Sequence, residues 1–217
     1  MFPDSPTYRE QNSNVYVSSD AGDAVIRCDN KDNIAKHYNK SIEYAIKEKY
    51  DIIIFCHDDI FIEDKFLAAK LERGLHANDI IGLAGAKTCT LREPVLWHLM
   101  SDRDSWSGAV AHPVSDKLVN VTSFGPSPER CIVMDGLFLA AKVESLLKSV
   151  TRFDESIPCI AHFYDIDFCL TANKNKLTMS TWPIWAVHSS SGLSKFTDEF
   201  KQGQEYILNK WKQHNQK

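Results

Sequence analysis

The stretch Tyr50-Asp51-Ile52-Ile53-Ile54-Phe55-Cys56-His57-Asp58-Asp59-Ile60-Phe61-Ile62 constrains the fold more than any other. A run rich in β-branched residues stops at two adjacent carboxylates and then turns apolar again. Such a run reads as a strand buried on both faces, as inside a parallel sheet. In open α/β sheets ligands gather at the carboxyl ends of strands, which puts His57, Asp58 and Asp59 where a substrate binds. Two carboxylates there need a counter-charge, and a divalent metal carrying a phosphorylated ligand supplies one. An ordinary polar strand end, with one Asp capping the next helix, explains the same residues.

The rest of the chain places this strand in a series. Val15-Tyr16-Val17 and Val25-Ile26-Arg27 are short strand candidates, after a flexible arm over 1–14. Asp29-Asn30-Lys31-Asp32-Asn33 is dense in capping residues. Ile34, Ala35, Tyr38, Ile42, Ala45 and Ile46 then recur at helical spacing. Glu63-Asp64 opens a second helix, and 80–86 reads as a strand. Over 87–130 the pattern dissolves into what reads as a long irregular segment carrying Trp97 and Trp106, the kind that forms lids or binding loops. A strand-like run over 131–141 is broken by Asp135-Gly136, and a short helix follows over 143–150. His162-Phe163-Tyr164-Asp165 leads into another helix, 177–188 reads as a strand bent at Pro183, and 198–213 is a final amphipathic helix. Alternating strands and helices predict one α/β domain over 15–217, with a mostly parallel central sheet flanked by helices.

Composition narrows the class. The chain has 217 residues, 43% hydrophobic and 25% charged, enough for one domain with a full core. A formal charge of -4 gives no footprint for nucleic acid. No apolar segment approaches the roughly 18 to 20 residues of a membrane span, and the amino terminus lacks a signal-peptide pattern. Cys28, Cys56, Cys89, Cys131, Cys159 and Cys169 form no CxxC pair, so the expectation is a cytoplasmic protein without disulfides or a thiolate zinc site.

Four clusters could carry chemistry: His57-Asp58-Asp59, Asp135-Gly136, the segment from His162 to Asp167, and His188-Ser189-Ser190-Ser191-Gly192. Each has a plainer explanation: a helix cap at Asp165 or Asp167, a turn at Asp135-Gly136, a satisfied strand-end histidine at His188. Trp97 and Trp106 could stack on a sugar face or simply fill the core.

Taken together, His57-Asp58-Asp59-Ile60-Phe61-Ile62, Ile81-Gly82-Leu83-Ala84-Gly85-Ala86, Met134-Asp135-Gly136-Leu137-Phe138-Leu139-Ala140, Arg152-Phe153-Asp154-Glu155, His162-Phe163-Tyr164-Asp165 and Val187-His188-Ser189 resemble the family-2-like glycosyltransferases of the GT-A fold. The likeness is nearest to the branch with a His-Phe-Tyr-Asp signature, covers roughly residues 33 to 211, and includes the helix carrying Lys36. It implies a GT-A-like domain and transfer from a nucleotide-sugar donor to a glycan or glycoconjugate acceptor, with Mn²⁺ or Mg²⁺ as cofactor. Asp59 matches the last carboxylate of the DXD motif and His188 the histidine that completes the metal site. His57 stands in place of that motif's first Asp, and Asp58 is its spacer. Asp165 matches the base of inverting members, with Asp167 in a capping or supporting role and among the candidates for donor or acceptor binding. Asp135 and Gly136 match the turn beside donor sugar and acceptor, where Trp97 and Lys36 are further binding candidates. The residues before Asn33 are too few for the family's full nucleobase-binding unit, so either this region is abbreviated, with Asp20 or Asp23 as stand-ins, or part of the unit is missing.

The expectation is a metal-dependent, inverting glycosyltransferase using a UDP-sugar, without a transmembrane segment and compatible with peripheral membrane association. A nucleotidyltransferase is the rival enzyme, although it would want a Gly-rich basic loop near the amino terminus. A degenerate nucleotide-sugar-binding module is the non-enzymatic alternative.

Overall fold

The computed structural model describes residues 16–17, 33–115, 118–190 and 196–212. The arm over 1–14, the strand candidate at Val25, Asp20, Asp23, Ser191 and Gly192 lie outside them.

Helix α1 (Ile34–Lys47) begins where Asn33 Oδ1 accepts the Lys36 amide at 3.3 Å, satisfying one of the first-turn donors. Its inner stripe, with Ala35, Ile42 and Ala45 buried, packs on β2 (Ile52–Cys56). Helix α2 (Leu67–Ala77) turns Leu67, Leu71 and Leu75 inward. Asp64 does not open it as a simple cap. Its buried carboxylate accepts from the amides of Phe66 and Trp185 and pairs with Lys70 at 2.6 Å, tying the helix entry to a distant loop.

The strands form two mixed sheets. One runs β10 (Met179–Thr181), β4 (Ile80–Gly82), β9 (Phe138–Lys142), β2. The other runs β1 (Tyr16–Val17), β3 (Ile60–Ile62), β11 (Ala186–His188), β6 (Trp106–Ser115), β5 (Ala84–Ala86), β8 (Val133–Met134), with β7 (Leu118–Gly125) beside β6. Among the described residues only β1–β3, β4–β10 and β6–β11 are parallel, so the mostly parallel sheet expected from the alternation is not what forms. Of the antiparallel ladders, β6–β7 is closed by a short hairpin, while β2–β9, β4–β9 and β3–β11 pair strands far apart in the chain, which an alternation of elements along the sequence does not report.

Two further expectations are corrected. Strand β2 is not buried on both faces; Phe55 is buried, but Ile52, Ile53 and Ile54 are only half-buried, and β2 pairs with β9 alone among the described residues. Residues 87–130 are not one irregular loop, because β6 and β7 form a long hairpin across 106–125. Its outer residues, including Val114, Leu118 and Val121, are exposed, so burial imposes no clean alternation on the sequence.

Four apolar runs step from one sheet into the other, and these steps build the site. Cys56 ends β2 in the smaller sheet and Ile60 starts β3 in the larger. Leu83 separates β4 from β5, residues 135–137 separate β8 from β9, and 182–185 separate β10 from β11. Beneath the steps Tyr38, Phe55, Phe153, Tyr164 and Phe168 form one aromatic cluster, with Phe153 and Phe168 stacked 4.1 Å apart. Each fully buried ring contributes about 1.5–3 kcal/mol of burial free energy, which stiffens the floor of the steps.

Candidate active site

The ladder between β3 and β11 places His188 beside Asp59. These strands run antiparallel with His188 opposite Ile60, and the Ser189 amide donates to the Asp59 carbonyl at 2.9 Å. The β2–β9 ladder does the same for His57, whose amide donates to the Leu137 carbonyl at 3.1 Å. A histidine from the β2–β3 step and one from the end of β11 therefore face one carboxylate.

Asp59 Oδ1 lies 3.1 Å from His188 Nε2 and 3.8 Å from His57 Nδ1, and the two ring nitrogens are 3.3 Å apart. All three ligand atoms lie within 4.8 Å of one another. Asp59 Oδ1 is buried and, despite its closeness to His188, makes no hydrogen bond of acceptable geometry. An orphaned buried carboxylate oxygen is costly unless something else satisfies it. A divalent cation would do so, and one carboxylate oxygen with two imidazole nitrogens is a donor set able to hold one. Burial holds the His57 imidazole below its ordinary pKa against the raising effect of Asp135, favouring the neutral, ligating form. Asp58 is exposed at the tip of the turn, outside this group.

A second carboxylate centre adjoins the first. Asp135 is held at both oxygens, by Trp97 Nε1–H at 2.9 Å and by the Leu137 amide at 3.0 Å. Asp165, half-buried in the first turn of α4 (Tyr164–Lys174), accepts from the amides of Gly136 at 3.0 Å and Ile166 at 2.9 Å. Burial, with the Asp135 charge second, pushes its carboxyl up to about 7 against these hydrogen bonds. A carboxyl in that range suits a general base working near neutral pH. Gly136 has no room for a side chain: a Cβ there would clash with Tyr164 Oη and sit 2.8 Å from Asp165 Cβ.

The turn aiming Asp165 is strained. Phe163, before the helix, has φ 69° and ψ −11°, the left-handed region where a bulky residue costs about 1–3 kcal/mol. Its ring is buried 4.6 Å from that of Phe200 on α5 (Asp198–Lys212), which holds the turn in place.

Two expected binding residues stand elsewhere. Asp167 is fully buried and faces α5, accepting from Trp211 Nε1 at 2.8 Å and pairing with Lys210 at 2.7 Å, so it anchors the last helix rather than a donor or acceptor. Trp97 is 5% exposed and packed against Trp106 and Phe124, with no free face for a sugar; its indole N–H orients Asp135 instead. Arg103 lies 5.5 Å over the ring of Trp106. Lys36 sits half-buried in the first turn of α1, two residues before Tyr38, whose hydroxyl donates to the Cys56 carbonyl at 3.1 Å.

No sequence pattern gives Tyr164, Tyr38 or His112 a role in the site. Tyr164 Oη lies 2.8 Å from His57 Nε2 and 3.2 Å from the Gly136 carbonyl, joining the two centres. His112 Nδ1 donates to the His188 carbonyl at 3.1 Å. Tyr164 sits inside the His162-to-Asp165 motif, which was the available signal; His112 lay in a segment with no readable period.

The family model described as "Glycosyltransferase like family" matches residues 7–211. The chain belongs to this family. A comparison with curated proteins finds no match. Membership makes the chain a transferase of glycosyl groups, and the mixed α/β arrangement is consistent with a GT-A-like domain. No helix among the described residues is long and apolar enough to cross a membrane.

Proposed function

We propose that this protein is a metal-dependent, inverting glycosyltransferase that moves a sugar from a UDP-sugar to a hydroxyl of a glycan or glycoconjugate, within the branch marked by His162-Phe163-Tyr164-Asp165. The observation that carries the reading is the convergence of His57, Asp59 and His188, with the raised carboxyl of Asp165 joined to them through Gly136 and Tyr164. The catalytic domain extends over 15–217. Five unpaired thiols among the described residues support a reducing, cytoplasmic location.

Asp59, His57 and His188 would hold Mn²⁺, or Mg²⁺ less well, and the bound ion supplies charge neutralisation for a departing diphosphate. Asp165 takes the proton of the acceptor hydroxyl as that oxygen attacks the anomeric carbon from the face opposite the diphosphate. The anomeric C–O bond breaks, and its electron pair leaves with the nucleoside diphosphate. Asp135, fixed by Trp97 and Leu137, holds donor sugar or acceptor beside Asp165, and its charge keeps the base from ionising too early. Gly136 lets substrate approach the backbone closely. His57 and Asp58 lie on the donor side of the step, and Lys36 borders it from α1.

Calorimetry with UDP-, GDP- and TDP-sugars in the presence of Mn²⁺, followed by product analysis, tests the reading. The expected outcome is tight binding of one UDP-sugar and turnover with a glycan acceptor. Asp59→Ala and EDTA should each abolish turnover; full activity in either removes the metal role. Binding without turnover favours the degenerate module, and turnover indifferent to the sugar favours the nucleotidyltransferase.

A further inference from the structure

We propose that Tyr164 is a positioning residue that fixes the ring tautomer of His57, so that Nδ1 keeps a bare lone pair facing Asp59 and His188. The inference rests on the metal reading above but makes a separate demand on the protein.

The Gly136 carbonyl fixes the direction of the hydrogen bonds. It is buried and can only accept, so the hydrogen bond at 3.2 Å takes the Tyr164 hydroxyl proton. The hydroxyl oxygen is then left as acceptor toward His57 Nε2 at 2.8 Å, so Nε2 must carry the ring proton. A neutral imidazole has one N–H, so Nδ1 is unprotonated. Nδ1 is also the ring atom that faces His188 Nε2 at 3.3 Å and Asp59 Oδ1 at 3.8 Å. The opposite tautomer would place an N–H on the face the three ligand atoms share. It would also turn the Tyr164 proton toward Nε2, withdrawing it from a buried carbonyl.

The Tyr38 hydroxyl is a further neighbour, but it gives its own proton to the Cys56 carbonyl, so toward Tyr164 it too can only accept, and the Tyr164 oxygen stays an acceptor for His57 Nε2. Tyr164 is 3% exposed, with the rings of Tyr38 and Phe153 at 5.6 Å and 6.1 Å. The space it occupies exists because residue 136 has no Cβ. Glycine at 136 thus serves the tautomer as well as the substrate side. Groups that orient ligating histidines through the second ring nitrogen commonly govern metal affinity by about 10–100-fold.

Two measurements on the full chain test this. Long-range ¹H–¹⁵N correlation of the histidine rings in metal-free protein at pH 8, with His57 assigned by comparison with His57→Gln, should show a proton on Nε2. A main population with the proton on Nδ1 overturns the proposal without any tyrosine variant. Mn²⁺ titration followed by EPR of the free ion should show Tyr164→Phe weakening binding by about 10–100-fold. In a His57→Ala background the same change should add less than about 2-fold, because its route is already gone. Undiminished affinity in Tyr164→Phe, or an equal loss in both backgrounds, also overturns it, the latter by pointing to packing. Wild-type protein that takes up no Mn²⁺ overturns the metal reading itself, while the ring measurement still decides the tautomer.

Discussion

Asp165 accepts two backbone amides, yet its carboxyl is pushed up to about 7, because burial and the charge of Asp135 together outweigh those bonds. As a base it must be ionised, so kcat/KM should rise with pH through an acidic limb near 7. Asp135→Asn removes the raising charge and should move that limb to lower pH, whatever it does to the maximum rate. Asp165→Asn should lose about 10²–10⁴-fold in turnover while still binding donor. The same carboxyl has a stability signature. Its folded pKa lies above the unfolded value, so between about pH 4 and 7 the native state keeps a proton that the unfolded chain has released. Stability is lost as pH rises through that window. The melting temperature of Asp165→Asn relative to wild type should therefore improve from pH 5 to pH 8; a constant difference would show that residue 165 is not titrating there.

Helix α5 acts on the site without touching the three metal-facing residues. Asp167 on α4 holds Lys210 and Trp211, and Lys210 also reaches Asp154 at 2.6 Å, so the two helices are clamped through charges largely removed from water. Breaking such a pair from one side costs about 3–5 kcal/mol, because the partner is left buried and uncompensated. Gly203 of α5 lies under Phe163, where an added Cβ would meet the ring at 2.7 Å. That ring belongs to the strained residue that aims Tyr164 and Asp165. Gly203→Ala should therefore cost roughly 1–3 kcal/mol in denaturant unfolding and lower kcat more than donor affinity. A variant with reduced stability but normal kcat would separate the packing of α5 from the aim of the turn. The amphipathic spacing over 198–213 predicted this helix; nothing in that spacing says that its glycine faces Phe163.

At the scale of the molecule, the site lies where two sheets meet, and ligands from β2–β3 and β11 close it. A cation bound there would tie separate parts of the larger sheet together, so folding and metal binding should be linked. Mn²⁺ at 100 times its Kd adds about 2.7 kcal/mol to stability, which for a chain of this size is roughly 5–10 °C in Tm. Differential scanning calorimetry with and without Mn²⁺ reads this directly, and Asp59→Ala should lose the shift while melting as one transition.

The sequence by itself determined the helices of the described chain. In α1, α2 and α5 apolar residues repeat over several turns, and at α1 a local cap, Asn33, marks the start. It also marked the carboxylates and histidines that interrupt apolar runs, since a polar break in a buried run has few explanations. It could not determine that these breaks are steps between two sheets. A run such as Ile80-Ile81-Gly82-Leu83-Ala84 looks the same whether it stays in one ladder or crosses at Leu83, because apolarity reports burial and not partner. Register, fixed by pairing between strands far apart in the chain, decided that His188 stands beside Asp59. Long-range packing decided that Asp167 turns toward α5 while Asp165, two residues earlier, faces Gly136. The tautomer-setting contact of Tyr164 is of the same kind: its residue type was visible in the sequence, but its two partners are brought to it only by the fold.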